Sequence, residues 1–330
     1  MWPRGLWWVG AGVVAVALPQ VLPLYFTHLV LLTVIYGLSA MSLDVLAGYT
    51  GLTSFGHATY FGTAAYTVGI LTTQHHVAPV VAAGAGVGAA VLLAAAYGLL
   101  ATRAVGVYFL IITLALGMGT WGLAYRWSSV TGGDNGLPGI PPLDLGLPWS
   151  LAEPRNLYYL VLAVFCVAAF LLYRLVHSPF GLTLRGIRES EGRMRMLGYN
   201  TWLHRYVAFV VAGGFAGVAG VLYAFYNRFV SPPDLHLAAS AEAVLMVILG
   251  GAGTLFGPLA GAGIVVFLRN LVSAYTQRWM LILGVVFVLT VLYAPQGVAG
   301  GARALWARWR GHAPAPRPQA EPGKEPVAEP

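Results

Sequence analysis

Long apolar runs, separated by short polar stretches, extend through most of the chain. They cover roughly residues 5–22, 24–46, 52–72, 77–101, 107–125, 157–175, 205–227, 240–250, 256–274 and 279–294. A helix needs about 20 mostly apolar residues to cross the hydrocarbon core of a bilayer. The pattern therefore predicts an all-α integral membrane protein in which residues 1–302 form a polytopic bundle of roughly 8–10 transmembrane helices. The lower number applies if the short, glycine-rich runs only re-enter the bilayer.

The first apolar run admits a second interpretation. Arg4 precedes a stretch that contains Ala15-Val16-Ala17, a pattern similar to a signal peptide and its cleavage site. Because another long apolar run follows within a few residues, we favour a transmembrane helix here.

The composition agrees with a membrane protein. Hydrophobic residues make up 58% of the chain and charged residues 9%, against about 25% charged residues in soluble proteins. This balance excludes an ordinary soluble enzyme and a disordered chain, and the single cysteine, Cys166, excludes an intrachain disulfide scaffold. The formal net charge of +7 is better explained by the orientation of membrane loops than by nucleic-acid binding. Membrane lipid, not nucleic acid, is the expected contact.

Lysine usage bears on the energy source. Lys324 is the only lysine, and it stands between Gly323 and Glu325. A phosphate-binding P-loop needs Gly-Lys-Ser/Thr, so the chain carries no ATPase site of that kind, and any ATP must be hydrolysed by a partner subunit. The spans also offer no catalytic Ser/His/Asp set, no metal-binding cluster and no sign of a cofactor. We therefore expect a transport subunit and not an enzyme.

Arginine placement predicts the topology. Residues 174–205 carry six arginines, whereas the other long interruption, 126–156, carries only Arg126 and Arg155. The positive-inside rule places the segment 177–204 in the cytoplasm and the loop 126–156 outside, and counting spans from there places both termini in the cytoplasm. The tail, residues 303–330, is rich in proline, alanine and glutamate, a composition that predicts a disordered cytoplasmic segment.

The segment 177–204 has the pattern of short helices of mixed charge. Ser178-Pro179 is typical of a helix start, and Gly198 followed by Asn200 is typical of a helix end. Charged residues alternate with apolar ones between these signals. From the residues alone, the segment is equally well a docking surface or a solvated connector that its arginines hold inside.

Small and polar residues cluster at membrane depth between residues 44 and 66. Glycine lets helices approach closely or break beside a cavity, and polar side chains in lipid tend to face the bundle interior. Packing explains each residue singly, but for the cluster as a whole we favour a translocation path. The predicted path residues, including two from later spans, are Asp44, Gly48, Gly51, Ser54, Gly56, His57, Thr113 and Glu242.

Two features of the later spans also stand out. Glu242 either caps a helix N-terminus, which we favour, or binds a cation or a substrate ammonium. Gly253, Gly257 and Gly261 form a repeated small-residue face suited to close helix contact, and residues 213 and 217 form another.

Several strings of residues resemble one family. They are Gly48-Tyr49-x-Gly51-x-x-Ser54-x-Gly56-His57-Ala58, then Thr131-Gly132-Gly133 with the following glycines, then Arg185-Gly186-Ile187-Arg188-Glu189-Ser190-Glu191, then Leu197-Gly198-Tyr199-Asn200. Together they are similar to the LivM-type branch of the branched-chain amino acid permeases of ABC importers. One departure is the stretch 192–196, Gly-Arg-Met-Arg-Met, where the family usually has alanine.

The resemblance implies a role for the segment 177–204. In that family it sits in a groove of a cytoplasmic ATPase and transmits its closure to the membrane helices. The residues that match the family pattern, and that we predict to couple to the ATPase, are Arg185, Ile187, Arg188, Glu189, Glu191, Leu197 and Gly198.

The resemblance also implies a permease subunit of the bacterial inner membrane that works by ATP-driven alternating access. Its expected partners are a second homologous permease subunit, two cytoplasmic ABC ATPase subunits and a soluble substrate-binding protein. Branched-chain or other aliphatic amino acids are the expected cargo, with urea or short amides as the alternative. An ion-coupled secondary transporter is the third hypothesis, although we find no internal repeat of the kind such proteins use.

Overall fold

A computed structural model describes residues 16–144, 150–276, 278–293, 297–298 and 300–301. Most of the first predicted span, the signal-peptide alternative and the predicted disordered tail lie outside these residues. The described part is almost entirely helical, and its only sheet pairs two strands of two residues each, β1 (Leu137–Pro138) and β2 (Phe229–Val230).

The helices follow the apolar runs closely. They are α1 (Leu24–Asp44), α2 (His57–Thr73), α3 (Pro79–Ala101), α4 (Val107–Arg126), α5 (Ser128–Thr131), α6 (Pro154–Val176), α7 (Pro179–Glu189), α8 (Glu191–Met196), α9 (Thr201–Asn227), α10 (Leu237–Gly250), α11 (Gly257–Ser273) and α12 (Trp279–Tyr293). Short 3₁₀ turns cover Gly133–Asn135 and Pro232–Leu235. The predicted all-α class is confirmed.

Within the described residues, five helical stretches are long and apolar enough to cross a membrane. They are Leu24–Thr50, which extends α1, together with α3, α4, α6 and α9. Shorter apolar helices, α10, α11 and the part of α12 from Leu281 to Thr290, lie beside them. In a bilayer every backbone polar group must be satisfied within the protein, which is why helices dominate. The chain is a polytopic membrane protein, and the number of crossings above five stays a prediction.

A break follows α1. The helix continues as a π-helical turn over Val45–Thr50 and ends at Gly51, whose φ of +75° is left-handed. The next helix begins only at His57, so the run predicted as a span over 52–72 starts with non-helical chain. Single π turns inside helices are frequent at functional sites, which directs attention to this break.

Small residues bring the helices together as predicted. A Cβ added to Gly213 or Gly217 of α9 would overlap Ala94 or Ala90 of α3. On α11, a Cβ at Gly261 would overlap the backbone of α10. The predicted small-residue faces are therefore real close contacts, except that Gly253 lies in the loop before α11 and not on a helix face.

The two long interruptions lie at opposite ends of the bundle. Helix α6 has 23 residues, about 35 Å at 1.5 Å per residue, enough to cross the hydrocarbon core. It begins where the predicted outer loop 126–156 ends and finishes immediately before the segment 177–204. The paired strands β1 and β2 belong to the outer-loop end.

Candidate functional site

The segment 177–204, named the coupling segment from here on, is built from α7, α8 and the start of α9. The Ser178 side chain caps α7 by accepting a backbone N–H, and Ser190 caps α8 in the same way. The predicted helix start at Ser178 is confirmed. Gly198 has a φ of +85° after α8, and Asn200 caps the next helix, α9.

The coupling segment has an exposed face, named the docking face. Its large apolar members are Leu182, which is 62% exposed, and Met196, which is 82% exposed, together with Leu197 and Tyr199. Glu189 and Gly198 are also exposed. Exposed apolar side chains on a charged helical surface are typical of a protein-docking site.

Ile187 does not belong to that face. It is 2% exposed, because it lies on the side of α7 that packs against the membrane helices. Ile187 therefore offers almost no surface to an ATPase. Its part in coupling to the ATPase stays a prediction, and the side chain would act from inside the protein.

Glu191 also points inward and binds α9. Its carboxylate lies 2.5 Å from the Arg205 guanidinium and 2.5 Å from that of Arg195, and it accepts a hydrogen bond of 3.1 Å from the Thr201 hydroxyl. Partial burial alone would raise the pKa of Glu191, but Arg205, Thr201 and Arg195 together hold its pKa below the ordinary value. The ion pair with buried Arg205 fixes α8 to the first turn of α9.

Replacement of Glu191 by glutamine is expected to lower stability by about 1.5–3 kcal/mol, the usual effect of losing charge-assisted hydrogen bonds. Because the folded pKa is depressed, the pair stabilises fully above the ordinary value of 4.5 and loses this effect as pH falls through the lower folded value. Melting temperatures in detergent should therefore differ between wild type and Glu191→Gln at neutral pH and converge in acid.

Arg195→Ala is the matched control for this variant. It removes a partner of the same carboxylate whose side chain is 66% exposed, and exposed ion pairs contribute about 0–1 kcal/mol. An equal loss in both variants would contradict the assignment of the stabilising contact to Arg205.

Two arginines of α7 contact the π-helical turn after α1. The Arg185 guanidinium lies 4.9 Å from the ring centroid of Tyr49 in a cation–π contact. Arg188 donates a hydrogen bond to the carbonyl oxygen of Gly48. A helix whose last carbonyls lack intrahelical partners has acceptors to offer, and here α7 takes one of them.

The same turn is held from the other side by Asp44. This carboxylate is fully buried and accepts hydrogen bonds from the backbone N–H groups of Gly253, at 2.7 Å, and Leu255, at 3.1 Å. Gly253 has a left-handed φ of +80° and lies against Gly48, where an added Cβ would overlap both Asp44 and Gly253. We name Asp44, Gly48, Arg188, Gly253 and Leu255 the coupling junction.

Gly51 closes the junction on the coupling-segment side. Its left-handed φ of +75° favours glycine, and a Cβ there would lie 3.2 Å from the Cγ of Arg188. The predicted path residues Asp44, Gly48 and Gly51 thus meet the predicted coupling residues Arg185 and Arg188 in one place. Neither set alone indicated that they would touch.

The remaining predicted path residues of this region make contacts between neighbouring elements. His57 is buried, and its Nε2 lies 2.8 Å from the Ser42 hydroxyl. At the other side of the break, the backbone N–H of Phe55 donates to the Thr113 hydroxyl at 3.3 Å. Gly56 lies so close to the backbone of Thr113 that a Cβ would overlap it.

Ser54 completes this group. Its buried hydroxyl accepts a 3.3 Å hydrogen bond from the N–H of Gly56. These contacts show how the residues pack, and their part in a translocation path stays a prediction. Among the described residues, no three His, Cys, Asp or Glu side chains come together as ligands for a metal ion.

Glu242 lies elsewhere, in a cavity of about 230 Å³ between α1, α10 and α11 that is also lined by α2 and the turn Pro232–Leu235. The favoured interpretation of Glu242 as a helix cap is wrong, because α10 is capped by His236 and has no acidic residue in its first turn. Glu242 instead forms an ion pair of 3.3 Å with Arg269. Arg269 is not among the predicted site residues, although a lone arginine inside the apolar run 256–274 is a signal of a polar interior.

Comparison with known proteins adds the family. A family described as "Branched-chain amino acid transport system / permease component" matches residues 25–291. The permease protein LivM of the high-affinity branched-chain amino acid transport system of Escherichia coli is 31% identical over 317 residues, covering 87% of this chain and 72% of LivM.

More distant relatives include the permease protein LivH of the corresponding system in Salmonella typhimurium, 26% identical over 80% of this chain and 91% of LivH. The autoinducer 2 import permease LsrC of Salmonella paratyphi B is 29% identical over 38% of this chain and 40% of LsrC. No solved structure matches. The extent of the family match and the similarity to LivM show that the chain belongs to the branched-chain amino acid permease family and is a permease subunit of the ABC-importer type.

Proposed function

We propose that this permease subunit moves branched-chain or other aliphatic amino acids across the bacterial inner membrane, driven by two ABC ATPases, one of which binds its coupling segment. The observation that carries the proposal is the coupling junction. In it, Arg188 of the coupling segment contacts Gly48 of the broken helix, and Asp44 joins that break to the loop before α11.

The proposed mechanism follows the contacts outward from the ATPases. The docking face binds an ABC ATPase. Closure of the two ATPases then moves α7 and α8 as one unit. Arg185 and Arg188 carry this motion to the π-helical turn, and Asp44 carries it to the ends of α10 and α11. Glu191 and Arg205 carry it separately to α9. A sub-ångström shift can be amplified in this way when packed elements have two discrete arrangements.

The other partners follow from the same scheme. The coupling segment faces the cytoplasm, and the outer loop end of the bundle meets a soluble substrate-binding protein. A second permease subunit completes the membrane pore. In support, LivM and LivH are both named as permease proteins of one branched-chain amino acid transport system, and this chain is similar to each.

The test is reconstitution of the complete complex with its binding protein in proteoliposomes. We expect leucine, isoleucine or valine to raise the ATPase rate and to be taken up only when ATP is present. Stimulation by urea or short amides alone would favour the alternative cargo, and the name of LsrC shows that relatives include importers of other compounds. Uptake that persists without the ATPase subunits would favour an ion-coupled transporter instead.

A further inference from the structure

We propose that the cavity between α1, α10 and α11 is a transient binding site for a zwitterionic amino acid, with Arg269 binding its carboxylate and Glu242 its ammonium. This inference rests on the proposed function. The cavity of about 230 Å³ is smaller than the roughly 300–1,000 Å³ of pockets for drug-sized ligands, as suits a single small molecule.

The charges in the cavity are the first argument. Arg269 and Glu242 form an ion pair of 3.3 Å, and their side chains are 43% and 17% exposed. Ionisable residues at membrane depth are costly and mostly face a cavity or the bundle interior. A guanidinium presents a planar fork that matches a carboxylate, and a carboxylate accepts hydrogen bonds from an ammonium group. An amino acid entering here can exchange one internal pair for two pairs to itself.

This exchange explains why the site need not hold its ligand tightly. Before a ligand binds, Arg269 and Glu242 already pair with each other. The zwitterion must break that ion pair, so its binding free energy is only the difference between the two new pairs and the one that they replace. Weak binding suits a transported molecule, because a site on the path must release what it binds.

Asp234, a third ionisable residue of the cavity wall, has another task. Its carboxylate accepts hydrogen bonds from the backbone N–H of Ser231, at 2.9 Å, and from the Tyr223 hydroxyl, at 3.2 Å. It also takes part in the capping box of the turn Pro232–Leu235. These contacts fix the turn above the cavity, so Glu242 is the acceptor that remains for an ammonium.

The rest of the wall suits an aliphatic side chain. Tyr36 stacks on Phe61 with ring centroids 5.8 Å apart, and Met246, Ala239 and Ala243 of α10 line the same cavity. Apolar walls with a few placed polar groups are typical of small-molecule sites.

The position of the cavity connects it to the coupling junction. Tyr36 and Ser39 line the cavity and lie on α1 about 12 Å and 8 Å before Asp44, at 1.5 Å per residue. Glu242 lies on α10, which ends at Gly250 next to the loop that Asp44 holds. Two of the helices that line the cavity, α1 and α10, therefore end at the coupling junction.

The experiment measures access to a cysteine in the cavity wall. Ala239→Cys is introduced together with Cys166→Ala, which removes the native exposed thiol, and the assembled permease–ATPase complex is prepared in nanodiscs without the binding protein. The rate of reaction with a charged thiol reagent is measured with increasing L-leucine. We expect leucine to slow labelling, and 4-methylpentanoate and isoamylamine, each lacking one charged group, to be at least about tenfold weaker.

A variant pair tests the assigned residues. Glu242→Gln with Arg269→Gln removes both charges and leaves no unpaired charge in the membrane. The first substitution keeps the side-chain shape, and the second keeps a polar but shorter side chain. Leucine should lose its protective effect in this double variant. Protection that survives there, equal protection by either single-charge analogue, or no protection by leucine in the parent would each overturn the proposal.

Leucine-stimulated ATPase activity of the same complex, measured with the binding protein, separates this inference from the proposed function. If leucine protects the cysteine from labelling but does not stimulate ATP hydrolysis, only the proposed function is contradicted. If leucine stimulates ATP hydrolysis but does not protect the cysteine, only the assignment of the cavity is contradicted.

Discussion

Replacing Gly48 with alanine is expected to reduce leucine-stimulated ATP hydrolysis by about 5- to 150-fold, the range of a coupling energy of 1–3 kcal/mol. An added Cβ at this position would overlap both the Asp44 carboxylate and the Gly253 backbone. The smallest possible side chain therefore separates the two elements that the coupling junction joins. The docking face is unchanged in this variant, so the ATPases should still co-purify with it.

Gly88→Ala is the control for this prediction. Gly88 lies within α3, and an added Cβ there meets nothing within 4 Å. Alanine in a helix interior is more favourable than glycine by up to about 1 kcal/mol, so this variant should be as stable as wild type and transport normally. Normal stimulation in Gly48→Ala, measured beside this control, would show that the junction does not transmit coupling.

The fold was largely predictable because the bilayer restricts what a chain can form. Apolar runs of membrane length must be helices, and the run over 107–125, for example, is α4 at Val107–Arg126. Local capping signals were equally informative, since Ser178 begins α7 as its sequence indicated. Both features depend on residues close together in the chain.

The coupling junction was only partly predictable because it depends on contacts between distant parts of the chain. Asp44, Gly48 and Arg188 were all singled out, but for two different tasks, and nothing local indicated that Arg188 would contact Gly48, 140 residues away. The π-helical turn was hidden as well, because an apolar run reads the same whether its helix is α or π.

Glu242 shows the same limit in a different form. Its place near the start of a span suggested a cap, whereas its partner Arg269 lies 27 residues later on the neighbouring helix. A charge within an apolar span indicates a polar interior, but only the packing of α10 on α11 identifies which charges meet. Pairing the intramembrane charges of opposite sign before assigning caps would have found this ion pair.

The second large effect is expected for Asp44→Asn. Both carboxylate oxygens of Asp44 accept backbone N–H groups, from Gly253 and Leu255. Asparagine has one acceptor oxygen, so its amide group would place a donor against one of those N–H groups. A buried donor without an acceptor costs about 1–3 kcal/mol, and the loop before α11 should detach from α1.

Hydrogen exchange measured on the intact complex tests this expectation directly. The amides of residues 253 and 255 should exchange faster in Asp44→Asn, and leucine-stimulated ATP hydrolysis should fall with them. Asp134→Asn, an exposed carboxylate in the outer loop, should change neither quantity. Faster exchange with normal stimulation would mean that Asp44 only holds the loop in place. Faster exchange together with lower stimulation, caused by one conservative substitution, is what a carboxylate that transmits motion requires, since its two hydrogen bonds join the end of α1 to the loop before α11.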